Sequence, residues 1–131
     1  MKPSIIFLLT IFGSFMLVVA PAKSEMIPVA ATKDDEHKYY LDTDSVTFDR
    51  NFVEGSVTKK SRKPSSNEVS SATARWKVNC SYRSSMIIEA AFHDSNGNFL
   101  GSSRKSSGWG AITPGSVGED IYYFMCNQFR R

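Results

Sequence analysis

The chain has 131 residues and a mass of 14.6 kDa, with 16 Lys+Arg against 13 Asp+Glu and 41% hydrophobic residues. That is one domain or part of one, too short for a barrel enzyme or a two-domain dinucleotide enzyme, and its ordinary composition excludes a wholly disordered chain. A net charge of +3 is too small to point to nucleic acid, and no nucleic-acid partner is expected.

Residues 1–22 read as an address and not as a fold element. Lys2 is followed by an uncharged apolar run from Ile5 to Val19, then by Ala20-Pro21-Ala22 with small residues at both positions that a signal peptidase inspects. This is the build of a secretory signal peptide cleaved after Ala22. The run is shorter than the roughly 20 apolar residues of a spanning helix. No Cys lies beside the cleavage site, so the expected product is exported, periplasmic or at the cell surface, and not lipid-anchored. No later run approaches spanning length, so no integral membrane segment is expected after cleavage.

Residues 23–36 (KSEMIPVAATKDDE) show no sustained period and read as a flexible leader, with the domain expected over 37–131. His37–Phe48 reads as a strand, a turn at Asp42-Thr43-Asp44 and a return. Phe52–Lys60 alternates only in part, with Val53, Ser56 and Thr58 set against Phe52, Glu54 and Val57, and the break in phase predicts a bulge near Gly55. Ser61–Ser71 is a polar loop. Ala72–Tyr82 alternates well: Ala74, Trp76, Val78 and Cys80 share one face and Arg75, Lys77 and Asn79 the other, which makes a half-buried strand with Cys80 toward the core. Met86–His93 and Phe99–Arg104 flank Ser95-Asn96-Gly97-Asn98, where Asn-Gly supplies the two positive-φ positions of a tight hairpin. Ser106–Gly115 is a loop broken by Gly and Pro.

The last segment changes period. Ser116 and Glu119 form a capping-box pattern, Glu119 and Asp120 sit in the first turn, and Arg130 and Arg131 close the chain where positive charge suits a helix C-terminus. Val117, Ile121, Phe124, Met125 and Gln128 fall near one stripe at helical spacing, with Cys126 at its edge. The favoured reading is a C-terminal helix on an antiparallel sheet; a strand over Ile121–Cys126 is the rival, because Ile, Tyr and Phe favour strands.

Cys80 and Cys126 are the only cysteines. In an exported chain they are expected to pair as a structural disulfide, contributing about 4 kcal/mol in the loop-entropy picture. Redox catalysis and metal binding remain as rival uses. The first prefers a short Cys-x-x-Cys spacing, and the second needs three or four ligands, for which His37 and His93 are the remaining soft candidates. No metal and no cofactor are expected.

Tyr40-x-Asp42 with Ser45, then Cys80, Asp94-Ser95-Asn96-Gly97, Trp109, Ile112-x-Pro114-Gly115-Ser116-Val117-Gly118-Glu119 and Cys126 together resemble the surface-adhesin protein E family of Gram-negative bacteria. The resemblance spans about Tyr39 to Cys126, and its most specific part is the stretch from Trp109 to Glu119 with the two cysteines. It implies an α+β fold: an antiparallel sheet of about six strands, with a C-terminal helix packed on one face and tethered by the disulfide. It also implies adhesin-like contact with host matrix or plasma proteins, and it leaves a homodimer open. The chain departs from the founding lipoprotein in having no lipobox cysteine.

Candidate chemistry is sparse. His93-Asp94 is the one conceivable proton-transfer pair, but sequence neighbours on a strand point to opposite faces, and Asp94 fits a turn cap better. Asp42 and Asp44 lack the further acidic positions of a calcium loop and fit a turn. His37 reads as solvated. Lys59, Lys60, Arg62 and Lys63 form the densest basic run, a candidate patch for an anionic envelope or matrix macromolecule or an acidic protein; a solvated loop is the competing reading. Tyr39, Tyr40, Trp76, Trp109, Tyr122 and Tyr123 divide between core and surface in a way the sequence leaves open. The expectation is an exported, non-catalytic binding protein. A periplasmic inhibitor or immunity-type protein that blocks a toxin or hydrolase is the alternative.

Overall fold

Alternation along two long strands sets the architecture. In the computed structural model, which describes residues 25–62 and 69–129, β4 (Phe52–Ser61) and β5 (Ser71–Asn79) pair in unbroken register from Phe52↔Asn79 to Lys60↔Ser71. Val53 and Val57 therefore face the same side as Val78, Trp76 and Ala74. β5 in turn pairs with β6 (Ser84–His93), and β6 pairs with β7 (Phe99–Ser103). On the other side β4 pairs with β2 (His37–Asp42), which pairs with β1 (Met26–Ala31). The antiparallel path is β1-β2-β4-β5-β6-β7. Among the described residues, two short strands extend it to eight: β3 (Thr47–Asp49) on β4, and β8 (Gly110–Ala111) on β6.

Several local expectations are corrected. Met26–Ala31, assigned to a flexible leader, is an edge strand: Ile27 opposite Leu41 and the neighbouring Val29 and Ala30 pack against the core despite the polar residues that flank them. The chain does not return upon β2 after Asp42. It steps through a 3-10 turn at Thr43–Ser45 and runs on as β3, so β2 and β3 lie end to end along β4. The carboxylate of Asp42 accepts the Asp44 amide at 3.1 Å, as a turn residue should.

No bulge interrupts β4 at Gly55. Glycine is there because a side chain would meet others: a Cβ would lie 3.1 Å from Leu41 Cδ1 and 3.3 Å from Val46 Cγ2. The register shift that matters lies between β5 and β6, where Arg75 faces Glu89 but Trp76 faces Ile87. The extra residue reverses the phase of β6, so that Ile87 joins Ala90 and Phe92 on the side of Trp76.

The hairpin between β6 and β7 forms as expected, with a different turn. The Gly97 amide donates to the Asp94 carbonyl at 3.1 Å, and within this turn only Gly97 (φ 83°) is left-handed. Asn96 keeps a negative φ, the pattern of an ordinary turn closed by a left-handed glycine and not of a two-residue mirror-image turn.

The C-terminal helix, α1 (Val117–Phe124), is capped as its sequence implies. Ser116 Oγ accepts the Glu119 amide at 3.2 Å, while Glu119 Oε1 accepts the amide of Gly115 at 3.1 Å. The helix continues into a π-helical turn at Met125–Phe129, which decides against a strand there. Ile121, Tyr122, Met125 and Cys126 are buried against Leu41, Val53, Val57, Val78 and Cys80. Cys80 and Cys126, 46 residues apart in sequence, are joined by a disulfide with Cα atoms 5.8 Å apart. The helix is thus clamped on one face of the sheet at the end of β5. Among the described residues, no helix is long and apolar enough to cross a membrane. The expected signal segment, Lys63, Arg130 and Arg131 lie outside the described residues.

Candidate binding surface

Of the basic run Lys59, Lys60, Arg62 and Lys63, the described residues divide between the two faces of the sheet. Lys59 and Lys60 are consecutive on β4, so the pleat sends them to opposite faces. Lys60 lies on the face away from the helix, with its Nζ 5.3 Å from the centroid of Tyr40 on β2, a cation–π distance. Lys38 is directly opposite Lys60 in the β2–β4 register and shares its face. Arg62 lies beyond the end of β4 and approaches Glu36 at 3.9 Å across an exposed gap. Glu36, Lys38, Tyr40, Lys60, Ser61 and Arg62 line a cleft of about 190 Å³ with an excess of positive charge. Lys38 was missed in the sequence because it is isolated there; the alternation of His37-Lys38-Tyr39-Tyr40 was the signal that would have found it.

Lys59 faces the helix-bearing side, opposite Tyr39 on β2 and Ala72 on β5. The helix covers only one end of that side. At the other end, Ala72, Ala74 and Ala90 are too small to fill the space between Tyr39, Trp76, Ile87 and Phe92, and an open apolar cavity of about 300 Å³ results, with Lys59 as its one charged lining residue. Burial raises the Tyr39 phenol above its ordinary range.

The remaining polar residues of the opposite face serve the sheet. Arg75 Nε donates to Glu54 Oε1 at 2.6 Å, and its terminal nitrogens reach the Ser45 carbonyl at 3.4 Å, fastening the 3-10 turn to the strands. Thr58 and Thr73 hydroxyls meet at 2.9 Å. Lys77 lies 5.0 Å over the Phe52 ring, which packs on the exposed Trp109 at 5.7 Å.

The titratable candidates are structural in their contacts. Asp94 Oδ1 accepts the amides of Asn96 and Asn98, each at 2.9 Å, and Oδ2 accepts from the Asn98 side chain at 3.2 Å. The backbone bond from Asn98 is the main cause of its lowered pKa. His93 turns to the Phe99 ring at 5.8 Å. His37 is on β2 and half-buried, with Nδ1 3.2 Å from Ser61 Oγ, not solvated as the sequence implied. Among the described residues no cluster of three His, Cys, Asp or Glu converges. Tyr122 is buried, Trp109 and Tyr123 are exposed, and Tyr39, Tyr40 and Trp76 are intermediate.

These features define a class: an α+β domain with one antiparallel sheet, a terminal helix clamped to it by a disulfide, and open clefts on both faces. The sequence profile of the surface-adhesin protein E family matches residues 27–127, and the chain belongs to that family. It is therefore an adhesin-like protein of the exported or cell-surface kind. Solved structures agree on the fold. Crystal form II of Haemophilus influenzae protein E superposes with a TM-score of 0.64 at 15% identity, covering 87% of this chain and 98% of that one. Protein E from non-typeable Haemophilus influenzae gives a TM-score of 0.54 at 16% identity, covering 83% of this chain and 81% of that one. No curated protein matches the sequence.

Proposed function

We propose that the protein is an exported, non-catalytic binding protein that holds an anionic matrix or envelope macromolecule by surface contact, and that residues 1–22 are its signal peptide. The observation that carries this reading is the cleft of Lys38, Tyr40, Lys60 and Arg62. Lys38 and Lys60 are presented by paired strands, so their spacing is set by the sheet, and Tyr40 offers a flat platform between charge and apolar contact. Sulfated or phosphorylated glycans and acidic protein surfaces fit such a site, because the paired strands fix the two backbone positions from which the ammoniums meet an anion. Membership in a family of surface adhesins supports the same reading.

The test is binding of purified protein to immobilised heparin, lipopolysaccharide and matrix proteins at increasing salt. The expected result is retention that weakens as salt rises and is largely lost in the K38E/K60E double variant. Absence of retention on every surface, or equal retention of the double variant, overturns the proposal. N-terminal sequencing of the exported chain after cell fractionation tests cleavage after Ala22.

A further inference from the structure

The apolar cavity on the helix-bearing face is not isolated. A second cleft of about 350 Å³ adjoins it and shares three of its lining residues: Lys59, Ala72 and Phe92. The two differ in chemistry. The first is lined by aliphatic and aromatic groups, with Tyr39, Ala74, Trp76 and Ile87 among them. The second is mixed: it adds His37, Ser61, Ser70, Ser71 and the exposed Val69, and of its serines Ser71, opposite Lys60 in the β4–β5 register, turns its side chain to the other face. Lys59 stands where they join, and among the described residues no carboxylate lies within ion-pair distance of it.

An apolar cavity, a neighbouring cleft of mixed lining and a cation at their junction match one kind of ligand. We infer that this face binds a single-chain anionic amphiphile, its acyl chain lying in the apolar cavity against Trp76 and its head group in the neighbouring cleft beside Lys59. The cavity is at the small end of ligand sites, which run from about 300 to 1,000 Å³, so a chain of medium length fits better than a two-chain lipid. The ammonium supplies the charge complementarity, and Ser70, with Ser61 where it is not engaged by His37 Nδ1 at 3.2 Å, supplies a hydroxyl donor for carboxylate or phosphate oxygens. This site is on the opposite face from the Lys38–Lys60 cleft and does not depend on the function proposed for that cleft.

Trp76 is a built-in reporter. The chain has two Trp, and Trp109→Phe leaves Trp76 as the only tryptophan, read selectively by excitation beyond the tyrosine band. In that background, dodecanoate brominated near its methyl end should quench the fluorescence saturably below its micelle concentration. Across octanoate, decanoate and dodecanoate the dissociation constant should fall about fourfold per added methylene, the transfer free energy of one buried CH2. Lys59→Met should weaken binding about two- to fivefold, the value of a partly exposed ion pair. Ala74→Phe should abolish it by filling the cavity. Should Ala74→Phe fail to fold, Ala90→Val should lower the chain length at which affinity stops rising. Dodecyl phosphate in parallel with dodecanoate shows which head group the cleft prefers. Quenching that ignores chain length, or equal affinity in the Lys59 and cavity-filling variants, overturns the inference. So does a dimer in sedimentation that keeps the probe from Trp76, because the face would then be covered by a second copy.

Discussion

The phenol of Tyr122 donates a 2.7 Å hydrogen bond to the backbone carbonyl of Cys80. Cys80 is thus held twice by the same helix, covalently through Cys126 and by this buried bond. The carbonyl belongs to the turn that follows β5, and Tyr122 supplies it with a buried donor. Tyr122→Phe leaves a buried acceptor without its partner and should cost about 1–3 kcal/mol. Urea unfolding should show a lower midpoint with an unchanged slope, and a shift within error would mean that water replaces the phenol.

The disulfide is the larger tie. Closing 46 residues is worth about 4 kcal/mol in the chain-entropy picture. Cys126→Ser should lower the melting temperature clearly under oxidising conditions and little in reductant, where the parent chain loses the same bond. Its effect and that of Tyr122→Phe should not add, because both act on one helix–sheet contact. Equal losses in both redox settings would show that the bond contributes nothing.

Gly55 is a packing glycine. Leu41, the nearest neighbour of its missing Cβ, is fully buried at 0% exposure and has no room to give way. Gly55→Ala should therefore destabilise by about 1–3 kcal/mol through overpacking, despite the better strand propensity of alanine. Leu41→Val in the same chain should recover part of the loss, and a more stable single variant would contradict this account.

Acid should weaken the fold through two turn carboxylates. Asp94 is held below its ordinary 3.8 chiefly by the backbone bond from Asn98, and Asp34 chiefly by the Thr32 hydroxyl, which donates to it at 2.6 Å. A carboxylate whose folded pKa is depressed contributes stability that is present above the unfolded value and lost as the pH falls through the folded one. Melting temperature should accordingly drop below about pH 4. Asp94→Asn should make the drop shallower, and an unchanged acid slope would exclude Asp94 as a source of it.

Features with a local cause were legible in the sequence. The alternation of Ala72–Tyr82 placed Cys80 on the core side. Ser116 with Glu119 placed the start of the helix, because a cap is read from residues three apart, and Asn96-Gly97 placed a hairpin, though not its turn type. The strand at Met26–Ala31 was illegible because its reason for ordering is contact with Leu41 and the core, remote in sequence. The candidate cleft was half legible: the pleat that separates Lys59 from Lys60 follows from a strand, but the arrival of Lys38 beside Lys60 depends on register.

By itself the sequence determined the period of each strand, the cap of the helix and the two sulfurs available to join, since these depend on side chains near one another along the chain. Only the tertiary structure decided what lies across the sheet. One extra residue in β6 brought Ile87 around to Trp76, and three alanines from two strands left a cavity between aromatic neighbours. Spaces of that kind belong to no segment, because they are the volume that several strands, each folded for its own reasons, fail to fill.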